Sequence, residues 1–237
     1  MSALDDLLVV QEHDTVIDQL HHRRSSLPER ASLREVESAR VALAAEMAAA
    51  VAARDEVATR QASLERDIAT SEARIAEIDK RLYSGSVTAS RDLQAMQHEI
   101  DSIKHRVSTL EDSALAAMEE REPLDSAVSA LEERDASLVA QGVELAAAIV
   151  SAEESIDSEL AGEVAARAAA ASLVDGALVE EYEKLRSRLD GIGAARLEHG
   201  TCMGCRMKLP ATELDRLKRE PADAVVHCDQ CGRILVR

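Results

Sequence analysis

A chain of 237 residues is long enough for one or two domains, but this one has two tyrosines, no Phe and no Trp, so it lacks the aromatic side chains that usually fill a compact core. Its net charge of −17 is unevenly divided: residues 1–190 carry 20 basic and 39 acidic side chains, and residues 191–237 carry 8 and 6. This composition is typical of long helices that bury a narrow seam. The negative charge of residues 1–190 repels phosphate and so excludes them as a nucleic-acid surface.

The N-terminal sequence carries no sign of export. It reads MSALDDLLVV, with acidic residues where a signal peptide has basic ones. We also expect no membrane span, because no apolar run approaches the roughly 18 residues that a span needs. The sequence therefore predicts a cytoplasmic protein without a membrane partner, in a compartment where disulfides rarely persist.

Helical segments are predicted in chain order. A short helix covers about residues 3–25 and ends before Pro28, since proline is tolerated only in a first turn. From Leu33 to Leu82, and again from Leu93 to Leu138, apolar residues recur at alternating spacings of three and four, which indicates a coiled coil. The link between them, YSGSVTAS (83–90), combines a glycine with hydroxyl side chains, so one helix stops and another starts there. The predicted fold class is mainly α: a long antiparallel coiled-coil hairpin with a small C-terminal β zinc ribbon.

Further breaks set the predicted domains. Pro123 should kink or restart the second arm. The later segment, about 160–178, is expected to pack against the short first helix. Gly191 in RLDGIGAARL supplies a left-handed cap that ends the long helix. The prediction is a helical domain at 1–190, with its turn near 83–90 and breaks near 28 and 123, followed by a ribbon at 191–237.

The spacing of the two arms also predicts a register. Antiparallel packing matches the three-four pattern when the numbers of paired residues sum to 171, which places Ile68 opposite Ile103. A sum of 178 keeps the same phase but centres the turn on Ala89. We prefer 171 because its centre falls at Gly85 and Ser86, where the turn residues lie.

All four cysteines lie in the last 36 residues, in two C-x-x-C pairs that are separated by 22 residues. This pattern predicts a zinc site, because each pair aims two sulfurs inward and two pairs complete a tetrahedron of thiolates. One structural Zn²⁺ is therefore expected. The predicted ligands are Cys202, Cys205, Cys228 and Cys231.

Other readings of the cysteines fit less well. A redox dithiol would begin a helix in an α/β unit, which is not predicted here, and catalytic zinc needs an open fourth position. His227 or His199 becomes a ligand only if a cysteine is displaced. ARLEHGTC, AVVHC and RILVR are expected to form short strands around the metal, with His227 in one of them, and ATELDRLKR a short helix after Pro210.

Three stretches together resemble a known family. They are LYSGSVTASRDLQAMQHEI at the turn, EEYEKLRSRLDGIGAARLEHGTCMGCRMKLP at the hinge and CDQCGRILVR at the end. They are similar to the C4-type zinc-ribbon domain proteins, bacterial proteins with a long helical hairpin and a C-terminal zinc ribbon. The resemblance implies a non-enzymatic binding protein with its zinc on the four cysteines. Some relatives are partners of the sigma-54 transcription factor or bind flagellin messenger RNA.

Two features keep us from carrying the sigma-54 role over. The turn reads SRDL where the family usually has a Pro-Lys-Glu-Leu-like sequence, so a partner contact there would meet a different charge. Arginine outnumbers lysine 23 to 5, which suggests a GC-rich genome.

The first functional hypothesis is an adaptor that binds a protein partner, with the transcription machinery as one candidate. The chain shows no arrangement of acid, base and nucleophile, so neither an enzyme nor a small-molecule substrate is expected. The most acidic stretch, Gln141 to Glu183, contains a single basic residue, Arg167. It is either a solvated helix face or a docking face for a basic partner.

The alternative is nucleic-acid binding, RNA or DNA, through the ribbon. Without aromatic side chains for base stacking, such binding would depend on phosphate contacts and weaken steeply with salt. Acidic neighbours offset the basic residues, so ordinary surface charge is the simpler interpretation. The candidate contacts are Arg206, Lys208, Arg216, Lys218, Arg219 and Arg233.

Overall fold

A computed structural model describes residues 3–221 and 223–237, and over these residues the chain forms five α-helices and four short β-strands. The helices are α1 (Ala3–Ser25), α2 (Pro28–Tyr83), α3 (Ser90–Ala171), α4 (Gly176–Arg188) and α5 (Ala211–Arg219). The strands are β1 (Ala194–Glu198), β2 (Thr201–Cys202), β3 (Val226–His227) and β4 (Ile234–Val236). The predicted fold class, a long helical hairpin with a small C-terminal sheet, is confirmed.

The contacts within the chain divide it into two compact units. The first unit consists of the chain up to Ser32 together with Leu145–Arg237, and the second of Leu33–Glu144. The C-terminal sheet therefore belongs with α1, α4 and the end of α3. Residues on both sides of residue 190 contribute to the hydrophobic core of this unit.

The second unit is the hairpin. Its two helical arms are joined by residues 84–89, and the carbonyl of Ala89 accepts a hydrogen bond from the amide of Leu93 (3.2 Å) at the start of α3. α3 continues through Pro123, so the helix does not restart at this residue. Apolar side chains at heptad spacing close the seam. Those that are buried in this unit are Leu43, Val57, Ile78, Ile100, Val107, Ala114, Ala117 and Val128.

The contacts between the arms show that the preferred register is wrong and that the alternative, with a sum of 178, is right. Arg121 donates a hydrogen bond to Oε1 of Gln61 (3.2 Å), whereas a sum of 171 would place Arg121 opposite Ala50, eleven residues or about 16 Å away. A Cβ added at Gly142 would lie 3.8 Å from Cγ1 of Val36, its partner in the alternative register. The preferred register was wrong because it assumed that the turn is centred at Gly85 and Ser86.

Cysteine pairs test the register. Ile75→Cys with Ile103→Cys, whose numbers sum to 178, should form a disulfide readily, because Cβ atoms that face each other across a seam approach the 3.5–4.5 Å that the bond requires. Ile68→Cys with Ile103→Cys is the matched control for the sum of 171. The crosslinked fraction is read from a non-reducing gel of zinc-loaded protein. A larger crosslinked fraction for the control pair would contradict the register.

The first unit has a core to which α1, α4 and the sheet all contribute. The expected packing of the later helical segment against α1 is confirmed, but that segment contains a break: α3 ends at Ala171, and Asp175 caps α4 by accepting the amide of Ala177 (2.9 Å). Asp175 followed by Gly176 is an N-cap signal in the sequence, and the predicted elements did not include this helix start. The buried core residues are Leu4, Leu7, Leu8, Val10, Ala170, Val174, Leu178, Tyr182, Ala194, Ile234 and Val236.

The sheet has the strand order β2-β1-β4-β3. β1 pairs in parallel with β4 and antiparallel with β2, and β3 pairs antiparallel with β4. Alternate residues point to opposite faces. Ile234 and Val236 therefore pack on the helices, whereas Leu235 enters a second cluster formed around the cysteines.

Buried polar side chains of α1 fix the start of β1. Oε1 of Gln11 accepts hydrogen bonds from the amides of Gly193 (2.7 Å) and Ala194 (3.3 Å), while Nε2 donates to the carbonyl of Gly191 (3.0 Å). One side chain thus satisfies three backbone groups where the chain leaves the helices and enters the sheet.

A second buried side chain of α1, Asp14, ties α1 to α3 and α4. Its carboxylate accepts the hydroxyl proton of the fully buried Tyr182 (2.7 Å) and also lies 3.3 Å from Nε of Arg167. Burial, followed by this hydrogen bond to the carboxylate, raises the pKa of Tyr182. The phenol therefore remains a hydrogen-bond donor at ordinary pH.

The expectation that no segment is apolar enough to span a membrane needs a correction. α3 contains a window of 18 residues with a mean hydropathy of 1.3, of which 6% is buried, and by length and composition alone a helix of this kind is able to cross a membrane. The cytoplasmic location remains a prediction.

Replacing Gln11 tests how firmly α1 holds the sheet. Gln11→Leu leaves two buried amides without an acceptor, so we expect the free energy of unfolding to fall by about 2–3 kcal/mol. Denaturant unfolding of zinc-loaded protein measures the loss, and hydrogen exchange should show faster exchange at residues 191–196. Glu12→Gln, at the exposed neighbouring position on α1, is the control and should change the free energy of unfolding by about 0.5 kcal/mol or less. Equal losses in the two variants would contradict the assignment.

Candidate metal centre

The four cysteine sulfurs form one compact group. All of them lie within 4.8 Å of one another, with Cys202 4.0 Å from Cys231 and Cys205 3.9 Å from Cys228. A tetrahedron of thiolates at 2.3 Å from zinc has edges of about 3.8 Å, so the observed spacing fits a single ion. The prediction of one structural zinc is confirmed. Four sulfurs leave no open position for catalysis.

Each C-x-x-C pair is folded by the same backbone turn. In the first pair the amide of Arg206 donates to the carbonyl of Cys202 (2.7 Å), and in the second the amide of Gly232 donates to the carbonyl of Cys228 (2.7 Å). Both donors have a positive φ, 59° for Arg206 and 75° for Gly232. Glycine adopts this conformation freely and arginine does not. The two turns are therefore equivalent, but the first is strained.

Gly204, inside the first C-x-x-C pair, lies in close contact with other parts of the ribbon. A Cβ at this position would lie 2.5 Å from Cδ of Arg233 and 2.9 Å from Cβ of Ala195. The glycine is needed because the side chain of Arg233 crosses directly over the first pair of cysteines.

Arg233 links the metal centre to the helices. Its Nε donates to the carbonyl of Ile192 (2.9 Å) and its guanidinium also donates to the carbonyl of Leu189 (2.9 Å). Burial acts to raise the pKa of the Cys231 thiol, but hydrogen bonds from the backbone and the side chain of Arg233 outweigh it and lower the pKa to about 7. Arg233 therefore has a structural role beside the site, and its candidate role as a nucleic-acid contact stays a prediction.

The other thiols behave differently from Cys231. Burial raises the pKa of Cys228 to about 12, against the opposing hydrogen bonds from the amides of Gln230 and Cys231, and burial also raises the pKa of Cys202. Zinc must displace the protons of these thiols, so its binding releases protons and weakens as the pH falls.

Glu213 of α5 supports the second pair of cysteines. This buried carboxylate accepts a hydrogen bond from the amide of Asp229 (3.3 Å) between Cys228 and Cys231. Glu213 is thus more than one of the acidic neighbours that offset the basic residues of the ribbon. A carboxylate near the N-terminus of a helix is an ordinary surface residue in most sequences, so no sequence signal distinguishes this role.

The remaining candidate nucleic-acid contacts do not form one patch of free charge. Arg216 pairs with Asp229 (3.3 Å) and Lys218 with Asp215 (3.8 Å). The three that are exposed without an ion pair among the described residues are Arg206, Lys208 and Arg219.

His227 and His199 stand apart from the four-cysteine group. His227 lies in β3, as expected, and its Nε2 is 2.9 Å from a carboxylate oxygen of Glu181 on α4. His199 lies in the turn between β1 and β2 with a φ of 49°. Within the described residues, the one group of three or more potential metal-ligating side chains consists of the four cysteines.

Fold and site together define a helical-hairpin protein with a structural C4 zinc ribbon. Two family models match it: the CT398-like coiled coil hairpin domain over residues 10–190, and the C4-type zinc ribbon domain over residues 201–235. The chain belongs to this family of CT398-like coiled-coil hairpin proteins with a C-terminal zinc ribbon. Neither model describes an enzyme fold.

Individual relatives agree with this assignment. The "Uncharacterized protein Rv2229c" of Mycobacterium tuberculosis is 31% identical over 234 residues, which covers 98% of this chain and 94% of that protein. A solved Mycobacterium smegmatis structure has a TM-score of 0.84 and 28% identity over 100% of both chains. CT398 from Chlamydia trachomatis has a TM-score of 0.57 over 99% of this chain and 97% of its own, and at 20% identity this likeness shows the fold alone.

Replacing Arg233 tests its role beside the metal. Arg233→Met keeps the length of the side chain but removes the guanidinium that stabilises the Cys231 thiolate, so zinc should be lost to a chelator about tenfold faster. Transfer of zinc to a chromogenic chelator gives the rate. Arg219→Met, an exposed arginine without an ion pair, is the control and should leave the rate unchanged. If the two variants lose zinc at the same rate, Arg233 does not support the site.

Proposed function

We propose that this protein is a non-enzymatic adaptor whose acidic hairpin binds a partner protein bearing basic and apolar side chains. The main observation in support of this proposal is an exposed apolar pair on α3, Leu115 (56% exposed) and Met118 (51% exposed). Large apolar side chains that neighbour each other on an exposed helix face are typical of interaction sites, and methionine adapts well to a partner.

The charge around this pair indicates the chemistry of the partner. Residues 107–120 contain four acidic side chains and no basic one. Glu111 and Asp112 lie one turn before Leu115, and Glu119 lies one turn after it, on the same face of the helix. We call these five residues, Leu115, Met118, Glu111, Asp112 and Glu119, the Leu115 patch. A basic amphipathic segment complements this patch, and a phosphate backbone does not.

The absence of a catalytic arrangement in the described residues supports a binding role. The four-sulfur zinc site has no open position, and the buried carboxylate of Asp14 is held by Tyr182 and Arg167. The transcription machinery remains one candidate source of the partner, because the zinc-ribbon resemblance implies a binding protein of this kind.

Site-specific photo-crosslinking tests the proposal in cells of the source organism. A photoreactive residue at position 115 or 118 should capture one discrete protein, and the same residue at the exposed Val41 of α2 should not. With the captured protein purified, Leu115→Ala plus Met118→Ala should weaken binding at least tenfold. Charge complementarity should also make the affinity fall as salt increases. Capture at Val41 alone, or binding that is indifferent to both salt and the double substitution, would contradict the proposal.

Nucleic-acid binding through the ribbon is the alternative. The observation that favours it is the exposed, unpaired state of Arg206, Lys208 and Arg219 among the described residues. A gel-shift series with RNA and DNA should then show a complex that weakens steeply between low and physiological salt. Recovery of RNA in place of a protein at the crosslinking positions would favour this alternative over the adaptor.

A further inference from the structure

The ribbon carries a cavity on its surface that the zinc site does not use. It has a volume of about 570 Å³, within the range of roughly 300–1,000 Å³ that is usual for ligand sites. It lies between the β1–β2 turn and α5. Its floor is apolar and is formed by Leu197, Leu214 and Leu217.

Positive charge dominates the rim of this cavity. Lys218 and Arg237 line it together with one carboxylate, that of Glu220. Arg237 donates hydrogen bonds to four backbone carbonyls, those of Leu217, Glu220, Pro221 and Ala224, and these contacts hold its positively charged guanidinium at the edge of the cavity. The exposed Lys218 lies 3.8 Å from Asp215, an exposed pair that water screens strongly.

The turn beside the cavity holds an unusual residue. Glu198 pairs with Thr201, so His199 and Gly200 form a two-residue turn, and both have positive φ values (49° and 77°). Asn-Gly is the preferred sequence for such a turn, and a histidine in its first position is strained. That strain places an imidazole at the mouth of the cavity, where His199 contributes to the lining. Strained residues of this kind concentrate at binding sites.

We propose that this cavity is a second docking site, which takes a segment of a partner protein with large apolar side chains next to Asp or Glu. The apolar side chains contact the leucine floor, and the carboxylates contact Lys218, His199 and the Arg237 edge. Nucleic acid fits less well, because the leucine floor favours apolar side chains over a sugar-phosphate backbone. This site is separate from the Leu115 patch, so the proposal for one site can be overturned without affecting the proposal for the other.

A peptide library provides the probe. Ten-residue peptides that combine Leu, Ile or Phe with Asp or Glu are displayed and selected on the full-length zinc-loaded protein. The affinities of selected peptides are then measured by fluorescence anisotropy. Lys218→Glu should weaken binding at least tenfold. Lys208→Glu, an equal charge reversal on the ribbon outside the cavity, should change it less than twofold.

His199→Asn separates binding from folding. Asparagine suits the turn better than histidine, so the variant should keep or raise the Tm of the protein. Its peptide affinity should nevertheless fall at least fivefold. A peptide that binds both variants as well as the unaltered protein would overturn the proposal, and so would failure to select any peptide. Displacement of the peptide by an RNA oligonucleotide or by dodecanoate at comparable concentration would also overturn it, and would assign the cavity to that ligand.

Discussion

The tetrahedron of four thiolates is the constraint on which the C-terminal half of the first unit depends. The sheet is too small to fold on its own apolar surface, so metal binding supplies folding free energy. Once the two cysteine pairs are joined, β1 and β4 lie side by side, and their alternating residues present two apolar faces. One face closes over the cysteines and α5, and the other packs on α1 and α4. Zinc binding thus orders the apolar face of the sheet against which α1 and α4 pack.

Buried polar groups then fix the orientation of the ribbon on the helices. Gln11 satisfies the backbone where β1 begins, and Arg233 reaches from the metal site to the carbonyls at the end of α4. Gly193 permits the close approach, because a Cβ there would lie 2.7 Å from the carbonyl oxygen of Tyr182. Hydrogen bonds of this kind add modest net stability but are costly to break, so they favour one orientation over others. A ribbon held in this way presents its cavity in a fixed position.

The hairpin follows a different physical rule. Its seam buries few side chains, and the three-four repeat fits two registers that differ by one heptad. Polar contacts such as that between Arg121 and Gln61 distinguish the registers, as does the close approach of Gly142 to Val36. With so little apolar area enclosed, much of each helix remains exposed. The Leu115 patch lies on this exposed surface, where side chains that do not serve the seam are available for a partner.

The sequence by itself determined the helical hairpin and the zinc site, because heptad periodicity and paired C-x-x-C motifs are local patterns with one dominant physical solution. It also placed His227 in a strand beside the second pair. Only the tertiary structure decided the register, the helix break before α4 and the union of the ribbon with α1. It alone revealed that Arg233 supports the metal site and that Glu213 holds a backbone amide. These features depend on residues that are far apart in the chain, and a single sequence does not record which distant groups meet.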